Sequence, residues 1–261
     1  MLVFSVFSSV SAVGQNGISP QNDEKSIDID MIFVQGGTFM MGCTQEQIEY
    51  CDTDELPSIL VEVEDFYIGK YEVTQKLWEE IMGTRVEQLR DRIDTNYLLY
   101  GQGENYPVYY VGWQDAQLFI ERLNKKTGKK YRLPTEKEWE FAARGGNLSK
   151  GTIYAGSNNL NEVGWYKDNS EYTTYPIGGK KPNELGIYDM SGNVWEWVSD
   201  SFYHYDANNT INIQESKENY RIFRGGSWFG AEDNARVSNR LYRLEENRSG
   251  NLGFRLVMSA K

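Results

Sequence analysis

The chain has 261 residues, with 38 acidic and 27 basic side chains, a net charge of −11, one histidine and two cysteines. That balance argues against nucleic acid, whose phosphates are held by clustered Lys and Arg. The lone His204 excludes multi-histidine metal sites and leaves little for Ser-His-Asp chemistry. Residues 1–14 carry no charge and mix Val, Phe and Leu with small residues. They read as the apolar part of a secretory signal or as a first core strand, and are too short to span a bilayer. Residues 15–30 are polar and acidic, a linker. That leaves 31–261 as one α+β domain, helix-poor and loop-rich, exported by this reading.

From residue 31 the elements follow in order. MIFVQGGTFMM (31–41) reads as two strands about Gly36 and Gly37, and ILVEVEDFY (59–67) alternates with the period of a strand. Thr74 can cap a helix through QKLWEEIM, stopped by Gly83, and residues 84–106 read as a surface excursion. The stretch 113–126 places Trp113, Ala116, Phe119, Ile120 and Leu123 on one helical face. TEKE (135–138) is a capping box that opens a second helix through Ala143. Beyond residue 151 only strands are expected, over 192–198, 221–226, 235–238 and 253–258.

Few constellations carry chemistry. Cys43 and Cys51 have no histidine partners, so a disulfide or two idle thiols fit better than zinc. None of the Gly-Gly pairs opens a strand–loop–helix unit, which removes a phosphate cradle. Ser227 in RGGSW lacks the surroundings of a nucleophile elbow. In GIYDMSGNVWEWVSD (186–200), Asp189 and Glu196 flank a Gly192-Asn193 turn, so either calcium sits among carboxylates and carbonyls there or the acids bond the turn's own amides.

Four segments together resemble the formylglycine-generating-enzyme, or sulfatase-modifying-factor, domain family: EVTQKLWEEIMG (72–83), the stretch 107–146, KKPNELGIYDMSGNVWEW (180–197), and RIFRGGSW with ARVSNR and NLGFRLV (221–257). The resemblance implies a variant of the C-type lectin fold with structural calcium. It implies Asp189 and Glu196 as side-chain ligands and Gly192 and Val194 as carbonyl ligands. A second, looser calcium site would use Asn161 and Asp168. Catalytic members bind copper through two cysteines, at positions that here are Gly230 and about Ala235, so no copper and no catalytic residue are expected.

The resemblance therefore points to a non-catalytic, calcium-stabilised module that binds a protein or small molecule. Trp228, Phe229, Gly230, Arg240, Tyr242 and Arg243 are the candidate contacts, with Trp228 equally readable as core. A ligand-binding protein diversified by a retroelement is the sharper version. A copper-dependent oxidase acting on a sulfatase cysteine, and a structural component of a gliding or secretion apparatus, are the alternatives.

Overall fold

The computed structural model describes residues 27–206 and 210–260, so the signal reading and most of the linker lie outside the described residues. Strands β1 (Met31–Val34) and β2 (Gly37–Met41) flank the Gly36-Gly37 turn, yet they join different sheets. The alternating run after residue 59 is also two strands, β3 (Ile59–Val63) and β4 (Phe66–Gly69). Its break at Asp65 has a cause that periodicity cannot reveal: Asp65 Oδ1 accepts from Gly36 N at 2.8 Å. β2 pairs with β3, while β1 and the late β10 (Val257–Ser259) flank β4. Short β5 (Tyr131–Arg132) completes that four-stranded sheet.

The helices begin where their caps lie. α1 (Gln75–Met82) starts at Thr74, whose Oγ1 accepts from Leu77 N, and stops at left-handed Gly83. α3 (Trp113–Thr127) buries Ala116, Phe119, Ile120 and Leu123, the face its spacing predicts. Between them α2 (Val86–Asp91) buries Val86 and Leu89, so part of the expected excursion is a short helix. α4 (Glu136–Ala143) has the complete capping box of Thr135 and Glu138. After residue 151, where the sequence predicts only strands, the described residues hold a single α-helical turn, α5 (Leu160–Val163), and a 3-10 turn over Glu232–Ala235.

The second four-stranded sheet runs β8 (Arg240–Leu244), β7 (Thr210–Arg224), β6 (Trp195–Asp206), β9 (Leu252–Gly253). Residues 235–238, expected as a strand, are loop and turn, and β8 follows them. One apolar cluster gathers around Trp78, Phe119 and Phe254, with Trp78 stacked on Phe119 at 5.4 Å. The other gathers around Trp139, Phe141, Ile68 and Ile222.

Buried charges run through this core. Glu136 and Glu140, one turn apart on α4, are wholly buried. Arg240 Nη2 and Nε reach Glu136 at 2.7 and 2.8 Å, Arg224 bridges Glu136 and Glu140, and Arg144 Nη2 lies 2.8 Å from Glu140. Burial alone would raise the Glu136 carboxyl; Arg240 and Arg224 overcome it and hold it below the usual range. Cys43 and Cys51 form a disulfide, with Cα atoms 5.9 Å apart. The strap that follows places Glu55 against Arg236, at 2.6 and 2.9 Å. Among the described residues no helix is long and apolar enough to cross a membrane.

Two outcomes follow from the charged core. Glu136→Leu leaves two buried guanidiniums short of a partner and is expected to cost about 3–5 kcal/mol in urea unfolding; a loss below about 1 kcal/mol would mean that the pairs add nothing. Asp200 Oδ2 caps α4 by accepting from Glu136 N at 2.8 Å. Burial, with the Glu136 carboxylate beside it, pushes its carboxyl up to about 6. An unfolded Asp titrates near about 4. Between these values the native state keeps a proton that the unfolded chain has lost, so this group removes stability as pH rises from about 4 to about 6. Asp200→Asn should therefore raise the melting temperature at pH 7 and change it little at pH 4. An equal effect at both pH values would contradict the shift.

Candidate functional site: an acid-flanked turn beneath an aromatic groove

The turn ahead of β6 depends on its backbone. Asp189 and Asn193 are left-handed at φ 58° and 57°, and a Cβ on Gly192 would meet Trp165 O at 2.3 Å, so only glycine fits there. The turn is fastened from outside. Asn193 Nδ2 donates to Glu72 Oε2 at 2.9 Å, Val194 N donates to Glu72 Oε1 at 3.2 Å, and Asn193 N donates to Trp165 O at 2.8 Å. Glu72 is a third buried acid that the motif reading missed, because it lies 117 residues before Asp189 and only the fold joins them.

The four expected calcium ligands lie along this turn and are not equally available. Asp189 is buried; Oδ2 accepts from Gly178 N at 2.6 Å, and Oδ1 has no partner. Both oxygens of Glu196 are taken by Arg255, at 2.6 Å each, and Oε2 also accepts from Trp139 Nε1 at 2.8 Å. Burial, reinforced by the Asp189 and Glu196 carboxylates, drives the Glu72 carboxyl well above its usual value, and burial pushes Asp189 up to about 6. Three buried acids thus share one guanidinium, Arg255. That excess and the orphaned Asp189 Oδ1 fit a cation. Glu196 fits less well, since it is already matched. Among the described residues no three acidic, His or Cys side chains converge in a metal-binding arrangement. A cation here would rest on Asp189 and on the carbonyls of Gly192 and Val194.

The looser pair is more exposed than the turn. Asn161 Oδ1 accepts from Asn169 Nδ2 at 3.2 Å, and Asp168 is exposed. The Asn161 carbonyl accepts from Lys180 Nζ at 2.9 Å, with that ammonium 3.9 Å above the Trp165 ring. A lysine supplies positive charge at this carbonyl.

The turn also fixes the candidate binding surface, because Trp228 N donates to Asn193 O at 2.8 Å. Trp228 is only 3% exposed and donates from Nε1 to Gly250 O at 3.1 Å. One edge still floors a groove of about 420 Å³, whose walls include Tyr97, Tyr100, Tyr110, Phe229, Arg243 and Asn251. The Tyr100 ring lies 4.5 Å from that of Trp228, across Gly250, where a Cβ would stand 2.6 Å from it. Tyr110 is buried at a left-handed φ of 62° and donates from its hydroxyl to Leu98 O. That bond fixes the Tyr97–Tyr100 wall, which no local sequence pattern marks.

The expected contacts divide. Phe229 is 58% exposed at the mouth, Arg243 is exposed, and Gly230 is partly exposed beside Asn234. Arg240 is not a surface residue: it is 1% exposed, bound to Glu136 and to the carbonyls of Asp54 and Tyr203. Tyr242 is half-buried on the opposite face of β8, its ring 3.8 Å from that of Phe202. Strand alternation sends residues 240 and 242 inward and 241 and 243 outward. Ala235 is buried, and Ser227 Oγ accepts from Asn251 Nδ2 at 3.0 Å.

The model of the sulfatase-modifying factor enzyme 1-like domain matches residues 17–260. A chaperone protein, LppX, of Paenibacillus barcinonensis is 31% identical over 89% of this chain and 90% of its own. The inactive C-alpha-formylglycine-generating enzyme 2 of Bos taurus is 34% identical over 59% of this chain, which spans about half (51%) of that relative. Among solved structures, Treponema denticola variable protein 1 superposes with a TM-score of 0.74 at 25% identity, over 90% of this chain and 96% of that one. The domain match over nearly the whole chain, with the fold and the turn described above, places this protein in the sulfatase-modifying factor enzyme 1-like domain family.

Proposed function

We propose that the protein is an exported binding module that uses the Trp228 groove to hold a ligand and calcium at the Asp189 turn to hold the groove. The observation that carries the reading is the groove itself. It is an aromatic-walled concavity in the size range of small-ligand sites, and it is lined by Phe229, next in the chain to the first of the two positions where the enzymes of the family are expected to carry thiols. Here the corresponding positions are Gly230 and Ala235. The chain has two cysteines, and they are bonded to each other in a different segment. A copper-dependent oxidase therefore lacks its soft ligands. The disulfide suits an oxidising compartment, which supports export.

Three of the relatives support binding without chemistry, while two others are named formylglycine-generating enzymes. Of the three, one is named an inactive enzyme, one a chaperone and one a variable protein. Residues 228–234 and 241–251, which supply much of the groove, are where diversification would act.

Two experiments test this. A random peptide library displayed on phage and panned on the immobilised protein should yield sequences that a Phe229→Asp variant fails to retain; equal recovery on both would remove the groove from the reading. For calcium, a site loaded to about 100 times its dissociation constant adds about 2.7 kcal/mol. Saturating chelator should lower the melting temperature of the wild type and leave Asp189→Ala unmoved. No shift in the wild type would dismiss the ion.

A further inference from the structure

The groove departs from the charge of the chain that builds it. The protein carries 38 acids against 27 bases, yet the groove wall holds Arg243 and Arg248 and no carboxylate. Two other concavities among the described residues are different. One beside α1 is lined by Asp28, Asp30, Glu72 and Glu80 against Lys76, and a second by Glu79, Glu87 and Glu104 against Lys76 and Arg85.

The two arginines differ. Arg248 Nε is engaged by Asp115 at 2.8 Å. Arg243 is exposed on β8 and forms no ion pair among the described residues; its Nη1 donates to Asn247 Oδ1 at 3.4 Å, a long bond, and its guanidinium lies 5.9 Å from the centre of the Phe223 ring. A guanidinium placed this way presents a planar fork of donors to a carboxylate. Lining the same groove are the rings of Tyr97 and Phe229, 48% and 58% exposed, with Tyr100 and one edge of Trp228. Rings exposed to this extent offer stacking surface.

We infer that the groove selects a ligand carrying a planar ring with a carboxylate a short linker away, the ring stacking against Tyr97 and Phe229 and the carboxylate pairing with Arg243. The inference rests on the groove being the binding site and names its ligand class. Two sources share this chemistry, a free aromatic acid and the C-terminus of a peptide ending in an aromatic residue.

Titration calorimetry on the full chain separates them. The probes are indole-3-acetate, its cationic counterpart tryptamine, and the peptide Gly-Ser-Gly-Ser-Trp as free acid and as amide. Indole-3-acetate should bind about tenfold or more tightly than tryptamine, since a charge-assisted pair is gained by one and lost by the other. Arg243→Gln, at an exposed position that leaves the core untouched, should abolish that preference, and Phe229→Ala should weaken both ring probes. Preference for the peptide acid over its amide assigns the peptide source; binding of indole-3-acetate alone assigns the small molecule. Tryptamine binding as tightly as the acid, or an undiminished preference in Arg243→Gln, overturns the ligand class and leaves the groove in place. Heat from none of the probes also overturns the class; the groove falls with it only if the peptide panning fails as well.

Discussion

Glu136 and Glu140 stand one turn apart on the inner face of α4, wholly shielded from water, and meet the guanidiniums of Arg144, Arg224 and Arg240. Two buried carboxylates are tolerable only with matched charge and full hydrogen bonding. That condition ties distant parts of the chain together. Arg224 ends β7, Arg240 opens β8, and Arg144 reaches back to Glu46 beside the disulfide. Arg240 also binds the Asp54 carbonyl, and Arg236 binds Glu55, so the amino-terminal strap closes over the same core. In a domain with few helices and short strands, these pairs do some of the fastening that apolar contact does elsewhere.

The Asp189–Glu196 turn carries the constraint to the surface. Glu196, matched by Arg255, is the second residue of β6, which meets the charged core at Tyr203, whose carbonyl accepts from Arg240. Asn193, held by Glu72 and Tyr175, gives its carbonyl to Trp228. Trp195 N then donates to Asn251 O, which sets the far lip of the groove. The groove is thus held by main-chain bonds together with the hydrogen bonds of Trp228, Tyr110, Arg248 and Asn251, while the rings of Tyr97 and Phe229 stay exposed.

Local signals in the sequence were read well. The Thr74 and Thr135 caps, the Gly83 and Gly128 stops and the face of α3 all depend on neighbours within four residues. Long-range pairing was not readable in that way. Periodicity joined 59–67 into one strand because it could not see Gly36 bonding Asp65. Arg240 was expected among the contacts with its neighbours Tyr242 and Arg243, because an arginine beside a loop gives no sign of a glutamate 104 residues away. The resemblance located the turn and Trp228, but the Tyr97–Tyr110 wall has no local pattern. It exists only because Tyr110 is left-handed and Gly250 lets Tyr100 lie close.

β8 places two kinds of residue side by side. Arg240 and Tyr242 belong to the interior, whereas Arg243, their neighbour, reaches the groove. A single strand therefore has an evolutionary grain with a period of two. Change at one position would unpick the interior, while change at the next could retune recognition and leave folding untouched. A lineage could explore new ligands on this strand without first acquiring spare stability, provided that its drift kept to the outward positions.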